Sequence, residues 1–165
     1  MLTLTVHAQT STSAERVILL AGTDFSSRRP KIWSNVNKRR LEVHERGATY
    51  AVVTERATGI ASFAWERSRY EWSHPGAVRQ TVHDSNVVMP DSRWELRVAP
   101  RDDGGSEVEM TLERRFRRSP AGGFGCAVNH LFGRRGWGWY LRSALRAIER
   151  ESLPDADAED VAAPA

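Results

Sequence analysis

Five polar side chains, Tyr50, Tyr70, Gln80, Asp84 and Arg114, occupy strand-like positions that turn them toward, or close to, one face of a sheet. They are the polar candidates available to one chemistry, should the site be an enzyme's. A base takes a proton beside a carbonyl, and a hydroxyl or cation steadies the developing enolate oxygen in an enclosed site. Arg114 stands apart from the other arginines near it. It continues the alternation of Val108, Met110 and Leu112, which points its guanidinium inward. There it needs either a carboxylate partner or a polar group of a ligand. No spacing among the five singles out a catalytic residue, so catalytic roles stay unassigned.

Other chemistries lack their residues. The histidines His7, His44, His74, His83 and His130 form no HxH or HxxxH pair, so no local spacing gathers metal ligands and no metal is expected. No GxSxG sequence marks a nucleophile elbow. The run Gly122-Gly123-Phe124-Gly125 lacks the Lys-Ser/Thr ending of a phosphate loop, and reads as a flexible connection into the last helix. No cofactor is expected. Cys126, the single cysteine, leaves no internal disulfide or thiolate cluster to form and reads as a small packing residue. Arg114, Arg115, Arg117 and Arg118, with Arg134 and Arg135, make a basic cluster, but Phe116 is its one interleaved aromatic. Nucleic-acid surfaces pair such charge with several stacking rings, so a solvated edge strand is the reading and no nucleic acid is expected.

Aromatic residues point to a pocket. The six tryptophans, Trp33, Trp65, Trp72, Trp94, Trp137 and Trp139, each offer a broad apolar face and one N–H donor. The expected ligand-binding set is Trp33, Tyr50, Phe63, Trp65, Gln80, Val82, Trp94, Met110 and Arg114, with Leu131 and Leu141 covering it from the last helix. The partner would be a small apolar or aromatic molecule.

The elements that must position these residues are legible from periodicity. Leu2, Leu4 and Val6 alternate with polar residues as a half-buried strand does. Thr12 and Glu15 have capping-box spacing before an apolar run that Gly22 can end in the left-handed conformation. A second short helix follows at 27–33, with Pro30 in its first turn. From Arg40 the chain reads as a meander. Its strand at 60–72 changes apolar phase, which predicts a β-bulge between Glu66 and Arg69. Asp102-Asp103-Gly104-Gly105 marks a hairpin. A helix at about 127–152 follows, roughly 39 Å long at 1.5 Å per residue. Gly133, Gly136 and Gly138 interrupt it, so it begins near Trp137, packs closely at the glycines, or kinks there.

Size predicts one domain, residues 1–153, followed by an acidic, disordered tail at 154–165. The net charge of +3 comes almost wholly from arginine, with Lys31 and Lys38 the only lysines. Those arginines interleave with glutamates, as on a salt-bridged surface. No apolar run is long enough for a membrane span and the first residues lack a signal-peptide pattern. The expectation is a cytoplasmic monomer or homodimer with no stable membrane insertion.

The stretches Ser92-Arg93-Trp94-Glu95-Leu96 and Gly104-Gly105-Ser106-Glu107-Val108-Glu109-Met110 resemble the polyketide cyclase/dehydrase and lipid-transport family. That family lies in the START-related helix-grip (SRPBCC) superfamily. Thr12-Ser13-Ala14-Glu15-Arg16-Val17 and Arg29-Pro30-Lys31-Ile32-Trp33 add to the resemblance, and residues 65–76 look like actinobacterial members. The resemblance spans 2–152. It implies an α+β helix-grip fold, a curved antiparallel sheet of about seven strands, ordered β-α-α-β6-α, wrapped around a long C-terminal helix. Members bind sterols, lipids, polyketides and plant hormones, and only some are enzymes. Three functions follow as expectations: binding or transport of a largely apolar ligand in a cavity, cyclase/dehydrase-type catalysis in that cavity, or an interaction module whose cavity has collapsed.

Overall fold

Alternating burial builds one antiparallel sheet. The computed structural model describes residues 1–151, so the expected acidic tail lies outside the described residues. The strands are β1 (Leu2–Thr10), β2 (Glu42–Arg46), β3 (Tyr50–Arg56), β4 (Trp65–Glu71), β5 (Ala77–Ser85), β6 (Arg93–Pro100) and β7 (Ser106–Arg114). They lie in the order β1-β7-β6-β5-β4-β3-β2, every pair antiparallel. The helices are α1 (Ala14–Val17), which continues into a π-helical turn over Ile18–Thr23, α2 (Arg29–Ile32) and α3 (Pro120–Arg150). Among the described residues no helix is long and apolar enough to cross a membrane.

The inner face of the sheet presents Leu4, Val6, Ala51, Val53, Val78, Leu96, Val108, Met110 and Leu112, all buried. Tyr140, Leu141, Ala144, Leu145 and Ile148 of α3 pack into it as one core. Each such aliphatic side chain contributes roughly 1.5–3 kcal/mol by leaving water. Thr10 Oγ1 donates to Glu149 Oε1 at 2.6 Å, tying the end of β1 to the end of α3. That bond leads the effects that hold the Glu149 carboxyl below its ordinary value.

The long helix differs from expectation in an informative way. It starts at Pro120, not near 127, because Ser119 Oγ accepts from the Gly122 N–H at 3.1 Å and Pro120 suits the first turn. The glycine run read as a flexible connection is therefore helical. Its Gly122 is also required sterically, since a Cβ there would strike the Arg117 carbonyl. Of the alternatives for the later glycines, the structure takes the kink. Gly133 stands at φ 52°, ψ −164°, outside the helical region. The half before it buries only Gly122, whereas the half after it supplies the apolar residues of the core.

Other expectations are corrected. The strand at 60–72 is shorter: Gly59–Ala61 form a 3-10 turn, and β4 begins only at Trp65, whose N–H donates to Asn86 Oδ1. The ladder does slip inside the expected interval, where Arg67 faces Asp84 and Ser68 faces Val82, but the extra residue is His83 on β5 rather than one on β4. Gly22 does not end a helix with positive φ. It lies within the π turn and is needed because a Cβ would collide with Val78. Ser13, with no side-chain cap, precedes α1 in place of a Thr12–Glu15 capping box. Finally, β7 is interior to the sheet, so the arginines after it line no edge strand. Arg117 instead donates to the Ser85 and Val88 carbonyls and pairs with Asp84.

Candidate functional site

Between the sheet and the first half of α3 lies a cavity of about 430 Å³. The helix meets it with Phe124, Val128 and Phe132, spaced to share one face. Aromatic walls come from Trp33, Trp65, Trp94, Phe116 and Trp137. Trp33 stands edge-on to Trp94, with ring centroids 5.8 Å apart, and donates its indole N–H to the Ala21 carbonyl at 2.8 Å. The Trp137 indole N–H is buried and has no acceptor.

The polar wall is built from two ion pairs. Glu55 on β3 and Glu66 on β4 are direct cross-strand partners, and both line the cavity. Like charges so placed repel. Arg29 from α2 pairs with Glu55, and Arg114 from the end of β7 pairs with Glu66, its Nη1 lying 2.9 and 2.8 Å from the two carboxylate oxygens. The network extends outward from both pairs. Tyr70 Oη donates to Glu55 Oε2 at 2.5 Å, and Arg29 Nη1 donates to the Ala21 carbonyl at 3.2 Å. Gln80 Nε2 donates to Ser68 Oγ at 2.9 Å and to Glu66 Oε2 at 3.3 Å, while its Oε1 accepts from Arg114 Nη2 at 3.4 Å.

Protonation follows from these neighbours. Burial pushes the Tyr70 hydroxyl well up, the Glu55 carboxylate adds to it, and Arg29 only partly opposes them. Tyr140, whose hydroxyl donates to Asn35 Oδ1, is raised by burial and again by Glu55. Burial alone would lower Arg29, but Glu55 and Tyr70 outweigh it and hold the guanidinium charged. Both tyrosines are thus neutral hydrogen-bond donors at neutral pH. Among the described residues no three His, Cys, Asp or Glu side chains converge in a metal-holding group.

Of the expected ligand-binding set, Trp33, Phe63, Trp65, Gln80, Trp94 and Arg114 line the cavity. Arg114 takes the carboxylate partner rather than standing free. Phe63 reaches the cavity from the loop before β4 and packs edge-on against Phe124, with ring centroids 5.5 Å apart. Five residues lie elsewhere. Met110 and Leu141 are fully packed in the core beneath, and Val82 belongs to a separate cluster with Val87 and Val88. Tyr50 has the opposite parity to the buried Ala51 and Val53, and the Arg69 guanidinium sits 3.9 Å from its ring centre. Leu131 is 88% exposed, because the first half of α3 turns Phe124, Val128 and Phe132 to the cavity and leaves Leu131 outside it. Asp84 also faces outward, paired with Arg117.

Sequence reasoning missed Arg29, Glu55 and Glu66. Glu55 was signalled by parity with Ala51 and Val53. Glu66 was obscured by the assumed length of its strand, and Arg29 has no local signature in a helix of four residues.

No family profile matches the sequence. No curated protein matches it either. Solved structures do match. A protein from Thermus thermophilus aligns with 16% identity over 90% of this chain and 97% of its own, at a TM-score of 0.71. The Zhui aromatase/cyclase from Streptomyces sp. R1128 aligns with 14% identity over 90% and 94%, at 0.73. A START superfamily protein from Mycobacterium smegmatis aligns with 9% identity over 85% and 97%, at 0.58. Sheet order, closing helix and these likenesses define an α+β helix-grip fold, a curved antiparallel sheet closed by a long C-terminal helix.

Proposed function

We propose that the protein binds and carries a small, largely apolar molecule, a lipid or an aromatic polyketide-like compound, in the cavity under the first half of α3. The observation that carries this reading is the cavity itself: about 430 Å³ of space, walled by tryptophan and phenylalanine. Pockets of a few hundred Å³ with apolar walls and a few fixed polar groups suit drug-sized ligands. Burial of apolar ligand surface supplies affinity at roughly 25 cal/mol per Å². The charged wall orients the ligand instead of holding it by net charge. The collapsed interaction module is the less supported reading, because the aromatic side chains surround the space and leave it open.

A second reading, cyclase/dehydrase-type catalysis, is favoured by one observation: the Glu66 carboxylate lines the cavity beside Arg114 and Gln80. Glu66 would take the proton and Arg114 would face the developing oxyanion. A carboxylate already accepting from both neighbours serves more readily as an orienting acceptor, so carriage is preferred.

The test is mass spectrometry of denatured extracts of the protein purified from its native host, beside the cavity-filling Val128→Trp variant. A compound recovered unchanged from the wild type and lost from the variant supports carriage. Equal recovery from both overturns it. Conversion of an added polyketide substrate, abolished in Glu66→Gln, would favour the enzyme.

A further inference from the structure

Resting on the ligand-binding reading, we infer that the cavity selects neutral aromatic ligands bearing a hydroxyl group, which donates to Glu66. Four of the charged side chains on the wall form the two ion pairs, and of these Glu66 is the most accessible at 26%, against 15% for Glu55, 12% for Arg114 and 4% for Arg29. The donors nearest its oxygens are engaged with the wall itself. Arg114 Nη1 faces both Glu66 oxygens, Arg114 Nη2 faces Gln80 Oε1, and Gln80 Nε2 is divided between Ser68 and Glu66. Carboxylate oxygens offer about four lone-pair sites, and Glu66 Oε1 accepts only from Arg114. Within the Glu66–Arg114–Gln80 group, Glu66 Oε1 is therefore the atom with room for a ligand donor.

An acceptor in an apolar cavity discriminates sharply. A ligand hydroxyl completes the carboxylate's hydrogen bonding, whereas an ether of the same shape leaves it short. A ligand carboxylate would be desolvated beside two carboxylates that face each other across the strand pair. Arg56, also on the cavity wall and the cross-strand partner of Trp65, is the group that would draw an anion instead.

Calorimetric titration of the full chain at pH 7 with 2-naphthol, 2-methoxynaphthalene and 2-naphthoate tests the selection. The expected result is 2-naphthol binding about tenfold tighter than the ether, as a hydrogen bond to a charged group allows. The naphthoate should be weakest. Glu66→Gln should erase most of the hydroxyl advantage, read as the ratio of naphthol to ether affinity within that variant. Equal binding of naphthol and ether, or tightest binding of naphthoate, overturns the selection and leaves the apolar-ligand reading standing. Persistence of the hydroxyl advantage in folded Glu66→Gln also overturns it. If that variant does not fold, the wild-type ranking of the three probes decides. Failure of all three to bind removes the selection together with the ligand-binding reading.

Discussion

Glu55 and Glu66 face each other in register across β3 and β4, both toward the cavity, and each is matched by an arginine from a distant part of the chain. Arg29 lies 26 residues before Glu55, and Arg114 lies 48 residues after Glu66. Two carboxylates on adjacent strands thus become tolerable only when α2 and the end of β7 are docked. The polar wall is a product of the tertiary fold, and its energetics can be tested directly.

Arg29→Met removes one of these cations and leaves Glu55 beside Glu66 without its partner. The side chains of Arg29 and Glu55 are 4% and 15% exposed, so solvent compensates little. The expected cost is about 3–5 kcal/mol in urea unfolding, with part recovered by adding Glu55→Gln. A cost typical of a surface pair, below about 1 kcal/mol, would contradict the buried role.

The kink makes a different prediction. Gly133 adopts φ 52°, ψ −164°, a region nearly restricted to glycine, so Gly133→Ala carries a strain of about 1–3 kcal/mol. The half of α3 before it buries only Gly122, so the strain is released there. Hydrogen exchange should quicken over 120–132 and stay slow at Leu141, Leu145 and Ile148. Uniform quickening along α3 would show that the two halves behave as one rod.

Alkaline pH probes the tyrosines. Tyr70 is held above its ordinary value by burial and by Glu55, against Arg29, and Tyr140 is raised by the same two causes. A raised folded value means that the stability is fully present below the unfolded value, about pH 10. It is lost as the pH rises from there toward the folded value, because the unfolded chain releases protons first. Urea midpoints should therefore fall above about pH 10, and fall less steeply for Tyr70→Phe. An identical slope in that variant would remove Tyr70 from the account.

Much of this architecture was readable because periodicity reports directly on burial. The alternation in β1 and β7 predicts their inner faces, and that of β7 correctly turns Arg114 inward. The failures share a cause in contacts between distant segments. Glu66 and Leu131 depend on where a strand starts, which the Gly59–Ala61 turn decides, and on which face the first half of α3 turns to the sheet. Met110 and Leu141 face inward as expected, but whether an inward residue meets core or cavity depends on how closely α3 approaches the sheet. Gly22 looked like a helix stop, and its role becomes visible only with Val78 packed against it.

The most direct test of the central claim is a calorimetric titration of the wild type and Val128→Trp with 2-methoxynaphthalene, a probe that needs no hydroxyl recognition. The account predicts saturable binding of one molecule per wild-type chain, at least about tenfold weaker in the filled variant, with the unfolding midpoint little changed. Equal binding by both proteins, or none by the wild type, would contradict a ligand cavity beneath α3.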